Sequence, residues 1–477
     1  MEPKEGGLNR SLEPDLCIIG AGSGGLAVAA GGAQMGAKVV LIERGLMGGD
    51  CLNFGCVPSK SLLAAARLAA LARRGAALGI VPAPSRISFP AAAASVQEVI
   101  AAIAPNDSVE RFERLGVKVI RAAARFTSPH SLRAGDIEVR PRRFVIATGS
   151  HPAVPAIPGL DHIPYLTNET VFANRELPEH LIVIGGGPMG MEMAQAHRRL
   201  GARVTVLDIG PFLPRDDAEL AASLVDRLAA EGVVARQRIE IAGVELNGAQ
   251  TAVHLTGGER INGSHLLVAA GRRPTIEGLD LDAAGIEATA KGITVDNRLR
   301  TTNRRAFAVG DVAGGPQFTH VALYHAGIVI RNALFRLPAK VDYRALPWVT
   351  YTDPELAQVG LTEAAAHAIG GKVQVLRWSF AENDRAQTER DTEGLVKVVL
   401  RRGRILGASI LGAGAGDLIL PWALAISQNL KIGALANMIV PYPTRSEASK
   451  RAAGSYYTPT LFSARTRGLV RFLARFG

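Results

Sequence analysis

Cys51 and Cys56 are the residues of this chain best placed to do chemistry. Both stand in the run Gly48-Gly49-Asp50-Cys51-Leu52-Asn53-Phe54-Gly55-Cys56-Val57-Pro58-Ser59-Lys60, and Cys17 is the only other cysteine among 477 residues. Two thiols with four residues between them are able to close and reopen a disulfide, a thiolate exchange that carries an electron pair. Zinc would want further soft ligands, and the neighbouring sequence offers no His and no third Cys, so no metal site is expected. The first fourteen residues hold no signal-like apolar stretch, and no uninterrupted apolar run approaches the roughly 18 residues of a membrane span, which predicts a cytoplasmic protein. In that reducing compartment a close cysteine pair reads as catalytic rather than as a structural staple.

A redox pair needs an electron source, and the elements around it supply the pattern of one. Asp15-Leu16-Cys17-Ile18-Ile19 reads as a buried strand, Gly20-Ala21-Gly22-Ser23-Gly24-Gly25 as a tight turn, Leu26 to Met35 as a helix and Lys38 to Ile42 as a second strand ending at Glu43. Strand, glycine turn, helix, strand and acid form the first unit of a dinucleotide-binding sheet. Gly20, Gly22 and Gly25 would let the backbone approach a pyrophosphate at the helix N-terminus, and Glu43 would accept from ribose hydroxyls. The unit recurs: Leu181 to Ile184, then Gly185-Gly186-Gly187-Pro188-Met189-Gly190, a helix Met191 to Leu200, and a strand Arg203 to Leu207 ending at Asp208. Gly185, Gly187, Gly190 and Asp208 would hold a second nucleotide. The simplest pairing is FAD in one unit and NAD(H) in the other, because a disulfide then has both a donor and a relay.

Between and beyond these units lie the crossovers. Phe144 to Ile146 is a strand running into Ala147-Thr148-Gly149, prolines follow at 152, 155 and 158, and a second crossover follows Gly271-Arg272-Arg273-Pro274. Ala306 to Val309 is a strand ending at Gly310-Asp311, a placement suited to a polyol chain or phosphate. From about Leu346 the pattern changes to antiparallel strands, Val373 to Phe380, Leu395 to Leu400 and Ile405 to Leu411, with a helix after Asp417. The predicted fold is α/β, with two Rossmann-like domains and a C-terminal α+β domain. Its expected parsing is 1–150 and 276–345 for the flavin, 151–275 for the nicotinamide and 346–477 for the last domain. A net charge of +11 suits anionic ligands, but it is dispersed and shows no zinc-finger spacing or aromatic-interleaved basic stripe, so nucleic acid is not an expected partner.

The order of these motifs, with GGxCLNxGCxPSK, Ala-Thr-Gly, Gly-Asp and Tyr351-Thr352-Asp353-Pro354-Glu355-Leu356-Ala357-Gln358-Val359-Gly360, closely resembles the pyridine nucleotide-disulfide oxidoreductases. That family includes dihydrolipoamide dehydrogenase, glutathione reductase and mercuric reductase, and the resemblance runs from Asp15 to about Gly454. It implies a homodimer in which each active site takes its last residues from the partner's C-terminal domain. It implies that Cys51 exchanges with substrate and Cys56 faces the flavin, that Lys60 and Glu192 pair beside it, and that electrons pass between nicotinamide, FAD and the Cys51–Cys56 disulfide. Gly49, Asp50, Thr148, Gly149, Gly271, Gly310 and Asp311 fall at the family's cofactor-binding positions. Asp208 would bind a 2'-hydroxyl and repel a 2'-phosphate, favouring NADH, while Arg203 and Arg215 leave NADPH as the lesser expectation.

Three departures bear on substrate. The family's His-Pro-x-x-x-Glu becomes Tyr442-Pro443-Thr444-Arg445-Ser446-Glu447, which exchanges a base with a reference pKa near ~6.5 for a phenol near ~10. A small-molecule disulfide or dithiol is the expected substrate, with a quinone or a metal ion as the alternative acceptor. A non-catalytic FAD- and NADH-binding redox sensor is the contrasting reading, and intact Cys51, Cys56, Lys60 and Glu192 argue against it. His320 or His325 stands near the flavin motif as a candidate acid or base, and Asp50 replaces a common threonine. Finally the chain extends past the usual family end, with Leu469, Val470, Phe472, Leu473 and Phe476 on one helical face and Arg465, Arg467, Arg471 and Arg475 opposite. Such a helix docks on its own dimer or lies on an anionic membrane.

Overall fold

The computed structural model describes residues 10–80, 87–248 and 250–476. The chain divides into two compact units, one made of the segment up to Glu179 with Gly243–Val253 and Asn262–Val341, the other of His180–Ala242, His254–Ile261 and Asp342 onward.

The first unit is built on a five-stranded parallel sheet in the order Ala306–Ala308, Arg143–Ile146, Leu16–Ile19, Val39–Ile42, Val117–Ile120. The strands Leu16–Ile19 and Val39–Ile42 in its middle are apolar and buried at every position because both faces are covered, while the edge strand Val117–Ile120 carries the exposed Lys118. Leu16, Ile18, Leu41 and Val145 pack into one core, and their neighbours Cys17, Ile19, Ile42 and Ile146 into the other. The helix Ser23–Gln34 crosses one face beside the helix Thr319–Ala333. A Cβ on Gly24 would lie 3.3 Å from Ala322 Cβ and one on Gly31 2.6 Å from Ile330, so these two glycines, seven residues apart on one helical stripe, set how closely the two helices approach.

The cysteine run is helical. Gly49–Asn53 is a short helix, Gly55 caps the next, and Cys56 is the first residue of the helix Cys56–Arg74. The stretch Gly49–Arg73 is long and apolar enough by mean composition to cross a membrane, although Asp50, Lys60 and Arg67 interrupt it and leave no uninterrupted apolar run of that length. It carries both thiols and Lys60 and packs against the helix Phe89–Ile103.

The second unit repeats the design. His180–Ile184, Arg203–Asp208 and Val233–Gln237 pair in parallel, and the helix Pro188–Leu200 follows the first of them. A five-stranded antiparallel sheet follows, in the order Pro347–Thr350, Glu355–Gly360, Arg404–Gly412, Leu395–Arg401, Gln374–Ser379. Its core centres on Trp422, which is fully buried and donates from Nε1 to Ser449 Oγ at 3.1 Å. The first two of these strands were not separated by sequence pattern. The observed architecture is the expected α/β fold with a C-terminal α+β part.

Candidate functional site

Each glycine turn is dictated by contacts that no side chain permits. Gly20 has φ +103°, and a Cβ on Gly25 would lie 1.9 Å from Gly20 O; Gly185 has φ +116°, and a Cβ on Gly190 would lie 1.9 Å from Gly185 O. The acids match as closely. Glu43 accepts from Ala21 N and Gly45 N, both at 2.6 Å, and Asp208 accepts from Gly186 N and Gly210 N, both at 2.7 Å. Gly22 and Gly187, the caps of the two following helices, have extended backbones with nothing nearer than 3.9 Å in their Cβ direction. A pyrophosphate therefore fits at both helix N-termini, where backbone N–H groups and the dipole favour an anion.

In the first unit the turn meets the cysteine run. A Cβ on Gly49, at φ +59°, would strike Gly22 Cα at 2.6 Å, so the two loops touch backbone to backbone. Asp50 next to it is not bare. Its Oδ1 accepts from Asn168 Nδ2 at 2.9 Å and lies 3.0 Å from Arg272 Nη2. Arg272 also donates to Ser150 Oγ at 2.7 Å and Ser150 O at 2.8 Å, while Ser150 Oγ donates to Asp311 Oδ2 at 2.6 Å. Burial holds the Asp311 carboxyl above its usual range. Thr148 Oγ1 donates to Thr275 O at 2.6 Å, Gly149 has φ +69°, and Gly271, at φ +118°, accepts from Ala153 N at 2.9 Å. The sequence pointed to Asp50, Asp311 and their glycines; Arg272, Asn168 and Ser150, which join them, carried no motif signal beyond proximity to Gly149 and Gly271.

The thiols form a reduced pair, Cys51 half-buried and Cys56 exposed. Their acidities are driven apart. The hydrogen bond from Cys51 brings Cys56 down to about 6, with Thr319 Oγ1, 3.4 Å from its Sγ, and the Lys60 charge acting in the same direction against burial. Cys51 is pushed well above the usual thiol range by the same bond and by burial. Cys56 also sits at a helix N-terminus, two residues earlier than Pro58, where the helix dipole favours a thiolate. Cys17 is buried and its thiol raised by burial, which makes it inert.

The remaining candidates sit as follows. Lys60 Nζ is 3.3 Å from Ser59 Oγ in the first unit; in the second, the buried Glu192 accepts from Tyr351 N at 2.9 Å. Gly310 N donates to Nδ1 of His325 at 3.1 Å, and burial pushes that ring down to about 4. His325 is thus a neutral support for the Gly310–Asp311 turn rather than an acid or base; His320 is exposed and stacks on Phe318. Tyr442 is 69% exposed and donates from its hydroxyl to Asp384 Oδ2 at 2.9 Å, so Asp384 first, then the Glu447 charge, hold the phenol above its usual pKa. Glu447 itself pairs with Arg451 at 3.1 Å. Asp384 was not singled out by sequence. Among the described residues no cluster of His, Cys, Asp and Glu is arranged to hold a metal.

Residues 14–326 match the pyridine nucleotide-disulphide oxidoreductase family and residues 346–453 its dimerisation domain. The chain is 38% identical to a mercuric reductase of Streptomyces lividans over 458 residues, covering 93% of this chain and 96% of that protein. Dihydrolipoyl dehydrogenase of Geobacillus stearothermophilus is 34% identical with the same coverage of both chains. Among solved structures, a Cu(II) complex of the HOCl-induced flavoprotein disulfide reductase RclA from Escherichia coli superposes with TM-score 0.84 at 30% identity, covering 91% of this chain and 98% of that one. LpdA from Mycobacterium tuberculosis gives 0.85 at 28%, covering 93% and 99%.

Proposed function

Because the chain belongs to the pyridine nucleotide-disulphide oxidoreductases, we propose that it works as an NADH-dependent reductase whose Cys51–Cys56 pair hands electrons to a thiophilic acceptor, a disulfide or a soft metal ion. Enzymes of this family are FAD-dependent, use NAD(P)H and carry a redox-active disulfide, and its dimerisation domain marks a homodimer. Bound FAD supplies the relay of electron pairs between nicotinamide and sulfur. The parsing that goes with this reading keeps 1–150 and 276–345 for the flavin, 151–275 for the nicotinamide and 346–477 for the partner contact, and places the reaction in the cytoplasm.

The observation that carries the choice of acceptor is the hydrogen bond from Tyr442 to Asp384. A phenol held above its usual pKa by a neighbouring carboxylate does not take a proton from an incoming dithiol at neutral pH. It serves as a donor. Oxidation of a dithiol needs that proton removed; reduction of a disulfide or a metal ion by the protein's own thiolate does not. Cys56, already acidic, carries the thiolate of the reduced pair; Cys51 passes its proton to Cys56 through the hydrogen bond between them and attacks as the thiolate, so the acceptor is met without an outside base. Lys60 and Glu192 would complete the flavin side as an ion pair. For the nicotinamide, Asp208 accepts two backbone N–H groups and presents a negative charge where a 2'-phosphate would lie. Arg203 begins the strand that Asp208 ends, roughly 16 Å away at the usual rise, which weighs against it as a phosphate ligand and leaves Arg215 as the cation for the lesser NADPH reading.

The test compares NADH oxidation with a disulfide, Hg(II) or Cu(II) against NAD+ reduction by dihydrolipoamide, in wild type and Tyr442→His, under anaerobic conditions. The reading expects turnover in the first direction, slow dihydrolipoamide oxidation, and a gain in the latter with histidine. Fast wild-type dihydrolipoamide oxidation would overturn it.

A further inference from the structure

From Ala448 to the end of the chain there is no Asp or Glu, and Lys450, Arg451, Arg465, Arg467, Arg471 and Arg475 contribute six of the +11 formal charges. More than half of the chain's excess charge is thus gathered at one end. The helix Ala464–Leu473 in that segment is a formed element: Ser463 caps it by accepting from Thr466 N at 3.1 Å, and Thr466 Oγ1 ties back to Thr460 O at 2.7 Å.

The helix has no buried residue. Leu469, Val470, Phe472, Leu473 and Phe476 are each 53% to 74% exposed, as are Leu461 and Phe462 just before them, at 57% and 68%. At the helical turn of about 100° per residue, the first five fall on one broad face, where the Phe472 and Phe476 rings meet edge to face at 5.2 Å. Arg467, Arg471 and Arg475, four residues apart, share the opposite arc. Arg465 lies at the N-terminal end of the apolar face rather than across from it, where a long arginine stem can lie along apolar material with its head in water.

We infer that this helix docks in the plane of an anionic lipid surface, apolar face down and arginines toward the head groups. Ten residues span about 15 Å, half the thickness of a hydrocarbon core, so the helix lies on a bilayer and does not cross it. Pairing of two such helices from two copies is the weaker occupant, since it would bring an acid-free basic segment against its own like. The combination of Phe and Leu on one face with arginine on the other is what interfacial binding to anionic lipid requires. The helix lies past residue 453, where the match to the dimerisation domain ends, and carries none of the residues of the redox reading.

Co-sedimentation of the full FAD-loaded protein with phosphatidylcholine vesicles, with and without phosphatidylglycerol, tests it. Binding is expected only with phosphatidylglycerol and is expected to fall at high salt. Each of Arg467→Gln, Arg471→Gln and Arg475→Gln should lower the partition coefficient about fivefold, and the double change Phe472→Ser with Phe476→Ser should release the protein while lipid-free NADH oxidation stays unchanged. Equal binding to both vesicles, no binding to either, or insensitivity to the arginine changes would refute the proposal. So would a loss of oligomer mass without lipid in the Phe472→Ser/Phe476→Ser protein, which would assign the helix to a second copy.

Discussion

Removing the Thr319 hydroxyl should raise the Cys56 pKa by about a decade in proton affinity. The main cause of its acidity is the Cys51 hydrogen bond; after the opposing effect of burial, Thr319, with its Oγ1 3.4 Å from Cys56 Sγ, is the next. A hydrogen bond to a charged group contributes about 1.5–3 kcal/mol, and an exposed, long bond to sulfur belongs at the bottom of that range. About 1.4 kcal/mol equals one decade, so Thr319→Val should move Cys56 from about 6 to about 7. Near pH 6.5 the thiolate fraction would fall from about three quarters to about one quarter. The reduced, FAD-loaded enzyme would be alkylated with iodoacetamide across pH and the midpoint read with its ultraviolet thiolate absorbance. Lys60→Met acts only through a screened charge and should move it less. A Thr319→Val midpoint still at the wild-type value would refute the assignment of this hydroxyl as a thiolate donor, and a larger shift from Lys60→Met would mean that charge, not the hydrogen bond, sets the acidity.

The twin turns predict separable losses: Gly25→Ala should cost flavin, read from bound absorbance, while Gly190→Ala should keep flavin and raise the nicotinamide KM at least about tenfold, ~1.4 kcal/mol, because each Cβ meets a turn carbonyl at 1.9 Å. Lys397, 2% exposed, bonds Asp217 and Glu219 at 2.8 Å and Glu363 at 2.7 Å; Lys397→Met strands the buried Asp217 carboxylate and should cost about 3–5 kcal/mol in chemical denaturation, partly restored by Asp217→Asn. His325, lowered to about 4, refuses a proton that the unfolded chain accepts near ~6.5. Its contribution is therefore complete above that pH and lost as pH falls toward 4, on the order of 3 kcal/mol, and His325→Gln should flatten that part of the stability profile. Asp208→Ser should raise the NADPH to NADH ratio of kcat/KM, because it removes the charge that faces a 2'-phosphate.

The sequence disclosed the parts of the site that geometry makes local. Gly20 and Gly25, or Gly185 and Gly190, are glycine because a carbonyl a few residues away occupies the Cβ position, and that constraint leaves its mark within one turn of chain. Glu43 and Asp208 follow at the end of the next strand, still inside one βαβ unit. Thr319 acts on Cys56 across 263 residues and Asn168 on Asp50 across 118, so no spacing could announce them. Asp50, in place of a common threonine, brings a negative charge to the turn. That charge is met locally by Arg272 and Asn168, which is why an acid is tolerated beside the anion cradle.

The same distinction explains the reading of Tyr442. Its six-residue motif places Glu447 as the natural partner, since Glu447 occupies the position that would orient a histidine. In the structure Glu447 turns along its own helix to Arg451, and the phenol reaches Asp384, which begins the helix Asp384–Thr388 and is brought there by the antiparallel sheet between them. A histidine at 442 could give a proton to Asp384 or take one from substrate, but a tyrosine in that bond is fixed as a donor. The substitution and its partner therefore act together: the acid that would strengthen a histidine base makes the tyrosine a poorer one. On the proposed reading, such a donor would suit an acceptor that leaves the proton balance to Cys51 and Cys56.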